Sequence, residues 1–210
     1  MKKLLTEFVG TFFLVLVIGL AITGSIAVAP LAIGVALMVL VYMGGHVSGA
    51  HYNPAVSTAA LLRGKMPSTD FVPYVISQLL GGTAAAAMVH VITGQTFAPA
   101  PAPGIGIMAP LLVEVLFTFL LALVVLNTAT HAATKGNSFY GLAIGGTVLA
   151  GAFVGGGISG GAFNPAVGVG PIVVHATAGG GSFGNLWLYI VGPILGGVLA
   201  AVVFGIQEQE

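Results

Sequence analysis

The chain has 210 residues, 57% of them hydrophobic and 5% charged, with five basic and five acidic side chains for a formal net charge of zero. A water-soluble domain covers its surface with about a quarter charged residues, so this composition, with a mean hydropathy of +1.10, excludes one and makes lipid the main solvent. A neutral chain without a basic run has no electrostatic grip on nucleic acid, and the absence of cysteine excludes disulfides, thiolate metal sites and thiol nucleophiles.

Lys2 and Lys3 precede an apolar stretch that runs from Leu4 to about Ile26. That length spans the hydrocarbon of a bilayer, and a second apolar stretch follows at once, so the segment reads as a spanning helix and not as a secretory leader. Further spanning segments follow, giving six at about 4–27, 30–48, 70–94, 107–128, 138–158 and 184–206, with short connections rich in Gly, Pro, Ser and Thr. Barrel strands would alternate polar and apolar residues, whereas Phe12 to Ile18 is apolar on every side.

After the second and fifth spans come two shorter stretches, Gly44 to Leu62 and Gly155 to Val174. Each has a Gly-rich approach and then Asn-Pro-Ala-Val: Asn53, Pro54, Ala55 in one and Asn164, Pro165, Ala166 in the other. Asn caps a helix well and Pro suits the first helical position, where no N–H is needed. Each motif therefore reads as the start of a half-helix, too short to span. Irregular backbone survives at membrane depth only where it is buried or lines water, so the approaches are expected to present carbonyls to an aqueous path.

The chain also repeats itself. Residues 4–18 match 111–125 at eight of fifteen positions, Glu7 falling on Glu114 and Thr11 on Thr118. Residues 30–57 align with 141–168 without a gap, and Leu80-Gly81-Gly82 recurs as Leu195-Gly196-Gly197. The chain is thus expected to be one all-α membrane domain of two three-span repeats, 1–105 and 106–210. An odd number of spans inverts the second copy and brings the half-helices together N-terminus to N-terminus. Two such ends, each with roughly half a positive charge, disfavour cations and protons and tolerate a neutral dipole. The amides of Asn53 and Asn164 can donate to a passing water. Lys2, Lys3, Arg63, Lys65 and Lys135 all fall on one side, which the positive-inside rule makes cytoplasmic, together with both termini.

With these motifs on the page, the sequence resembles the aquaporin, or major intrinsic protein, channels over essentially its whole length. The likeness runs from Glu7 through Gly45-His46-Val47-Ser48-Gly49-Ala50-His51-Tyr52-Asn53-Pro54-Ala55-Val56 to Phe163-Asn164-Pro165-Ala166 and Gly170-Pro171. The resemblance implies a homotetramer with one pore per subunit, passing water or small neutral solutes down their gradient. It also places a selectivity constriction at Ile33, Ala152, Gly161 and Val167. The family usually has Arg at the last of these, and water-specific members often have an aromatic and a His among the others. Here the ring is apolar and lined by small residues, which implies a wider aperture. The alternatives are a neutral-solute facilitator (glycerol, urea or ammonia) with minor water flux, an ion- or proton-coupled transporter, and a junction or scaffold protein. A coupled transporter would need a titratable group on the path, and a scaffold larger loops than the Pro-rich connection at 95–106.

The remaining polar groups have mostly structural readings. Glu7, Glu114 and His46 are expected to be buried, the carboxylates accepting hydrogen bonds from loop backbone. His46 and His51 lack the further ligands of a metal site, and no metal or cofactor is expected. His131 and His175 read as loop residues, and the paired glycines as points of close helix packing. No set of residues suggests catalysis. Short loops suggest a bacterial inner membrane.

Overall fold

The computed structural model describes residues 1–208, so Glu210, placed on the cytoplasmic side with Glu208, lies outside the described residues. Those residues form eight α-helices: α1 (Lys2–Thr23), α2 (Ala29–Ser48), α3 (Pro54–Leu62), α4 (Ser68–Thr93), α5 (Met108–Val125), α6 (Tyr140–Ser159), α7 (Pro165–Ala178) and α8 (Leu188–Gln207). A π-turn, Leu126–Thr130, prolongs α5, and a short 3₁₀ turn, Ala132–Thr134, follows. Six helices are long and apolar enough to cross a membrane. Their outward residues, among them Leu5, Phe13, Val39, Ile76, Leu116, Leu199 and Val202, are large, apolar and exposed, as lipid-facing surface requires.

The helices α1–α4 and α5–α8 repeat one arrangement. In each, the first helix packs along the last, α1 on α4 and α5 on α8, while α2 and α6 join the two sets. The glycines set these distances. A methyl on Gly81 would lie 2.5 Å from the Phe8 carbonyl oxygen, and one on Gly196 2.5 Å from that of Val115. The next glycine of each pair seats a half-helix of the other set: Gly82 lies against the carbonyl of Ala166, and Gly197 against that of Ala55. These glycines are packing points, as small residues are between membrane helices.

The second and fifth spans end where the sequence reading puts them, near 48 and 158, and so carry the first part of each Gly-rich approach, from Gly44 and Gly155, as helix to Ser48 and Ser159. Each helix then stops at a left-handed glycine, Gly49 (φ 87°) or Gly160 (φ 89°), a conformation glycine adopts without a Cβ clash. The half-helices are also unequal. α3 has 9 residues and ends at Arg63 before left-handed Gly64, whereas α7 has 14 and runs to Gly179 and left-handed Gly180. His175 therefore sits in the last turn of α7, not in a loop, with Nδ1 2.8 Å from Thr96 Oγ1.

Candidate functional site

The two half-helices meet at their N-termini. Asn53 and Asn164 are the N-caps: Asn53 Oδ1 accepts from Ala55 N at 2.8 Å and Asn164 Oδ1 from Ala166 N at 2.9 Å. Pro54 and Pro165 occupy the first helical positions. Each amide then reaches across to the other loop. Asn53 Nδ2 donates to the Phe163 carbonyl at 2.9 Å, and Asn164 Nδ2 to the Tyr52 carbonyl at 2.8 Å. One proton of each amide is thus spent on holding the halves together. An NH₂ group has two, so one donor per Asn remains for a solute.

The loops feeding these caps are strained and held. Tyr52 (φ 48°), Phe163 (φ 49°) and Ala50 (φ 50°) have left-handed backbones that cost side-chain-bearing residues roughly 1–2 kcal/mol each. The buried carboxylates offset this cost. Glu7 Oε1 accepts from Ser48 Oγ (2.7 Å) and His51 N (3.0 Å), and Oε2 from Tyr52 N (2.7 Å) and Gln78 Nε2 (2.8 Å). Glu114 Oε1 accepts from Ser159 Oγ (2.7 Å) and Ala162 N (3.0 Å), and Oε2 from Phe163 N (2.7 Å). Tyr74 and Tyr189 complete the repeat by donating to the carbonyls of Ser48 and Ser159. With the N–H groups of His51 and Ala162 turned to the carboxylates and those of Ala50 and Gly161 to the Ser48 and Ser159 hydroxyls, these four residues have carbonyls with no protein donor among the described residues.

Two cavities open from opposite faces towards this meeting point. One, of about 430 Å³, lies away from the termini and includes Asn53, Asn164, His51 and Phe97 in its walls. All four constriction positions, Ile33, Ala152, Gly161 and Val167, line it as well. The other, of about 630 Å³, lies on the face of the termini, lined by Lys3, His46, Lys65, Asp70, His131 and Lys135 among others. His51, Val125 and Ile144 belong to both walls, so the cavities adjoin there.

His46 is not buried as expected. It is exposed in the wall of the second cavity, because two residues along a helix turn a side chain by about 200°, away from the face that buries Ser48. No group of three His, Asp or Glu suited to a metal occurs among the described residues. His131 remains between helices, its Nδ1 accepting from Ala133 N at 3.1 Å. Sequence reasoning passed over Ser48, Ser159, Tyr74 and Tyr189, which lie at matching positions of the repeat, and Gln78, a lone amide inside an apolar span and so a functional candidate by rule.

The profile of the major intrinsic protein family matches residues 1–204. The chain belongs to that family. The glycerol uptake facilitator protein-like 6 of Lactiplantibacillus plantarum is 37% identical to it over 225 residues, covering 100% of both chains. Aquaporin Z of Rhodopseudomonas palustris is 32% identical over 235 residues, covering 100% of this chain and 94% of its own. The X-ray structure of the aquaglyceroporin from Plasmodium falciparum shares the fold at TM-score 0.85 and 23% identity, covering 97% of this chain and 94% of its own. As a member of the family, the chain is an integral multi-pass membrane protein and a passive channel for water and small uncharged solutes.

Proposed function

We propose that water and small neutral solutes cross through the two adjoining cavities, in file between Asn53 and Asn164, and that the opposed half-helices exclude ions. The observation that carries this reading is the reciprocal pair of amide–carbonyl bonds, which fixes both helix N-termini at one point with a spare donor on each side. Two half charges about 5 Å from a cation, at an effective dielectric near 20, oppose it by roughly 3 kcal/mol, before the cost of removing its hydration. A neutral solute pays neither. It trades water for the spare amide protons and the free carbonyls of Ala50, His51, Gly161 and Ala162.

Selectivity is set at Ile33, Ala152, Gly161 and Val167. None of these side chains offers a charge or a donor, so the ring selects by size and admits solutes wider than water. Glycerol and urea pass as well as water, in keeping with relatives named for both kinds of transport. Val167→Arg adds a long cationic donor to the ring and is expected to cut glycerol and urea flux at least about tenfold, the equivalent of 1.4 kcal/mol, while sparing water. Stopped-flow light scattering of proteoliposomes tests this. Wild-type glycerol and urea flux equal to that of empty liposomes would contradict the breadth.

The five basic residues lie on the face of the termini, which supports a cytoplasmic location for that face. The chain is one channel domain with repeats divided near residues 105 and 106, assembles as a homotetramer on the family's pattern, and resides in a bacterial inner membrane, where it has bacterial relatives. Native mass spectrometry reads the assembly, and cysteine accessibility in intact cells the orientation.

A further inference from the structure

Among the described residues four other than glycine have a positive φ, Ser25, Ala50, Tyr52 and Phe163, and the last two stand just before Asn53 and Asn164. A bulky side chain at such a φ is an outlier, and the chain has glycine at eight other positive-φ positions, where no Cβ clashes. Even at the equivalent of Ala50 the second repeat has Gly161. An aromatic ring kept at a strained position in both repeats points to a use for the ring.

Both rings sit in sockets made by glycine. A methyl on Gly10 would collide with the edge of the Tyr52 ring, and one on Gly44 with its hydroxyl, which donates to the Leu40 carbonyl at 3.1 Å. A methyl on Gly151 would lie 2.9 Å from the Phe163 ring, and one on Gly155 3.1 Å from it. Gly44 and Gly155 are equivalent, but the rest of each socket differs. Where the first repeat has Gly10 and Leu40 the second has Phe117 and Gly151, with the Phe117 ring 5.3 Å from that of Phe163. Two unlike sets of residues thus bury a ring at the same place.

The backbone of each anchored residue joins the two repeats. Its N–H donates to the carboxylate of its own repeat, Tyr52 to Glu7 and Phe163 to Glu114, both at 2.7 Å. Its carbonyl accepts from the asparagine of the other, Tyr52 from Asn164 and Phe163 from Asn53. The dependence is therefore crossed: the socket for Tyr52 in α1 and α2 decides where Asn164 finds its acceptor. Each Asn caps its own half-helix through Oδ1, so losing the crossed acceptor frees an amide proton without undoing the helix start.

We propose that Tyr52 and Phe163 are positioning residues for the two pore asparagines, crossed between the repeats: the Tyr52 ring sets the direction of the Asn164 amide, and the Phe163 ring that of Asn53. An amide that has lost its carbonyl no longer holds its spare proton towards the path. The inference rests on the path proposed above, but the crossed link is read without reference to flux.

The test uses the full chain in lipid bilayers by solid-state NMR, with ¹³C-carbonyl tyrosine and phenylalanine and ¹³C,¹⁵N-asparagine. Tyr52–Asn53 and Phe163–Asn164 are the only Tyr-Asn and Phe-Asn pairs in the sequence, which identifies both asparagines. Wild type is expected to show Asn164 Nδ2 beside the Tyr52 carbonyl carbon and Asn53 Nδ2 beside that of Phe163. Tyr52→Leu and Gly10→Ala are expected to shift the Nδ2 signal of Asn164 and spare that of Asn53, and Gly151→Ala to do the reverse. Tyr52→Phe keeps a ring, as the second repeat does, and keeps both signals. Water permeability should fall about two- to fivefold in Tyr52→Leu, the worth of one hydrogen bond, and hold in Tyr52→Phe. Absence of the crossed contacts in wild type overturns the proposal even if no variant folds. Equal shifts at both asparagines, or none at either, overturn it in the variants. A shifted Asn164 signal with unchanged permeability leaves the crossed link standing and contradicts the path.

Discussion

The Glu7 and Glu114 clusters do the same mechanical work with different means. Both carboxylates tie down a strained loop and so aim an Asn-capped half-helix at the N-terminus of the other. Glu7 accepts four hydrogen bonds and Glu114 three, the fourth coming from Gln78 where the other half has Pro193. Holding a re-entrant loop therefore needs a carboxylate, a Ser hydroxyl and two backbone N–H groups. The remainder of the first cluster, Gln78 and Ser57, leads to His51 in the wall shared by the two cavities.

Removing the carboxylates should break this comparison most severely. Glu7→Gln or Glu114→Gln turns an acceptor into a donor that faces donors, and a charge-assisted hydrogen bond is worth about 1.5–3 kcal/mol. Both variants should unfold at lower temperature in detergent, and Glu7→Gln should be the worse by about one such bond. Equal losses would mean that Gln78 contributes nothing to the first cluster.

The asparagines should behave alike where the carboxylates differ. Asn53→Ala and Asn164→Ala each lose an N-cap, about 1 kcal/mol, and one cross-link, about 1 kcal/mol, so each should cost roughly 2 kcal/mol. Thermal unfolding followed by tryptophan fluorescence and circular dichroism gives the two values. A gap larger than about 1 kcal/mol would show that the reciprocal bonds are not equivalent.

The fold was largely legible in the sequence, because lipid demands long apolar runs and the caps act within a few residues. Asn53 and Asn164 announce their half-helices through adjacent Pro, and the repeat supplies the inversion. The contacts among His51, Ser57 and Gln78 were hidden for a physical reason: the three meet only when α4 packs against the re-entrant loop. Helical phase decided His46, exposed although its neighbours Gly44 and Ser48 are buried. His175 fell inside α7 because that half-helix has no break before Gly179.

The smallest effect is expected at the end of α8, which has no counterpart in the first repeat. Glu208 bridges Lys65 Nζ at 2.8 Å and Arg63 Nη2 at 2.9 Å. The hydrogen bonds from Lys65 and Arg63 hold its carboxyl below the ordinary carboxylate range. A folded-state pKa below the unfolded one stabilises the protein above the unfolded value, and the gain is lost as pH falls through the folded one. Wild type should therefore melt slightly above Glu208→Gln at neutral pH, with the difference vanishing in acid. A difference that persisted at low pH would place its cause elsewhere.

The central claim is that neutral molecules pass between Asn53 and Asn164 while protons do not. Proteoliposomes loaded with a pH-sensitive dye allow osmotic shrinkage and proton leak to be recorded from the same vesicles. Water flux well above that of empty vesicles, with proton leak at the level of empty vesicles, is the predicted result; a proton leak that rises in step with water flux would contradict it.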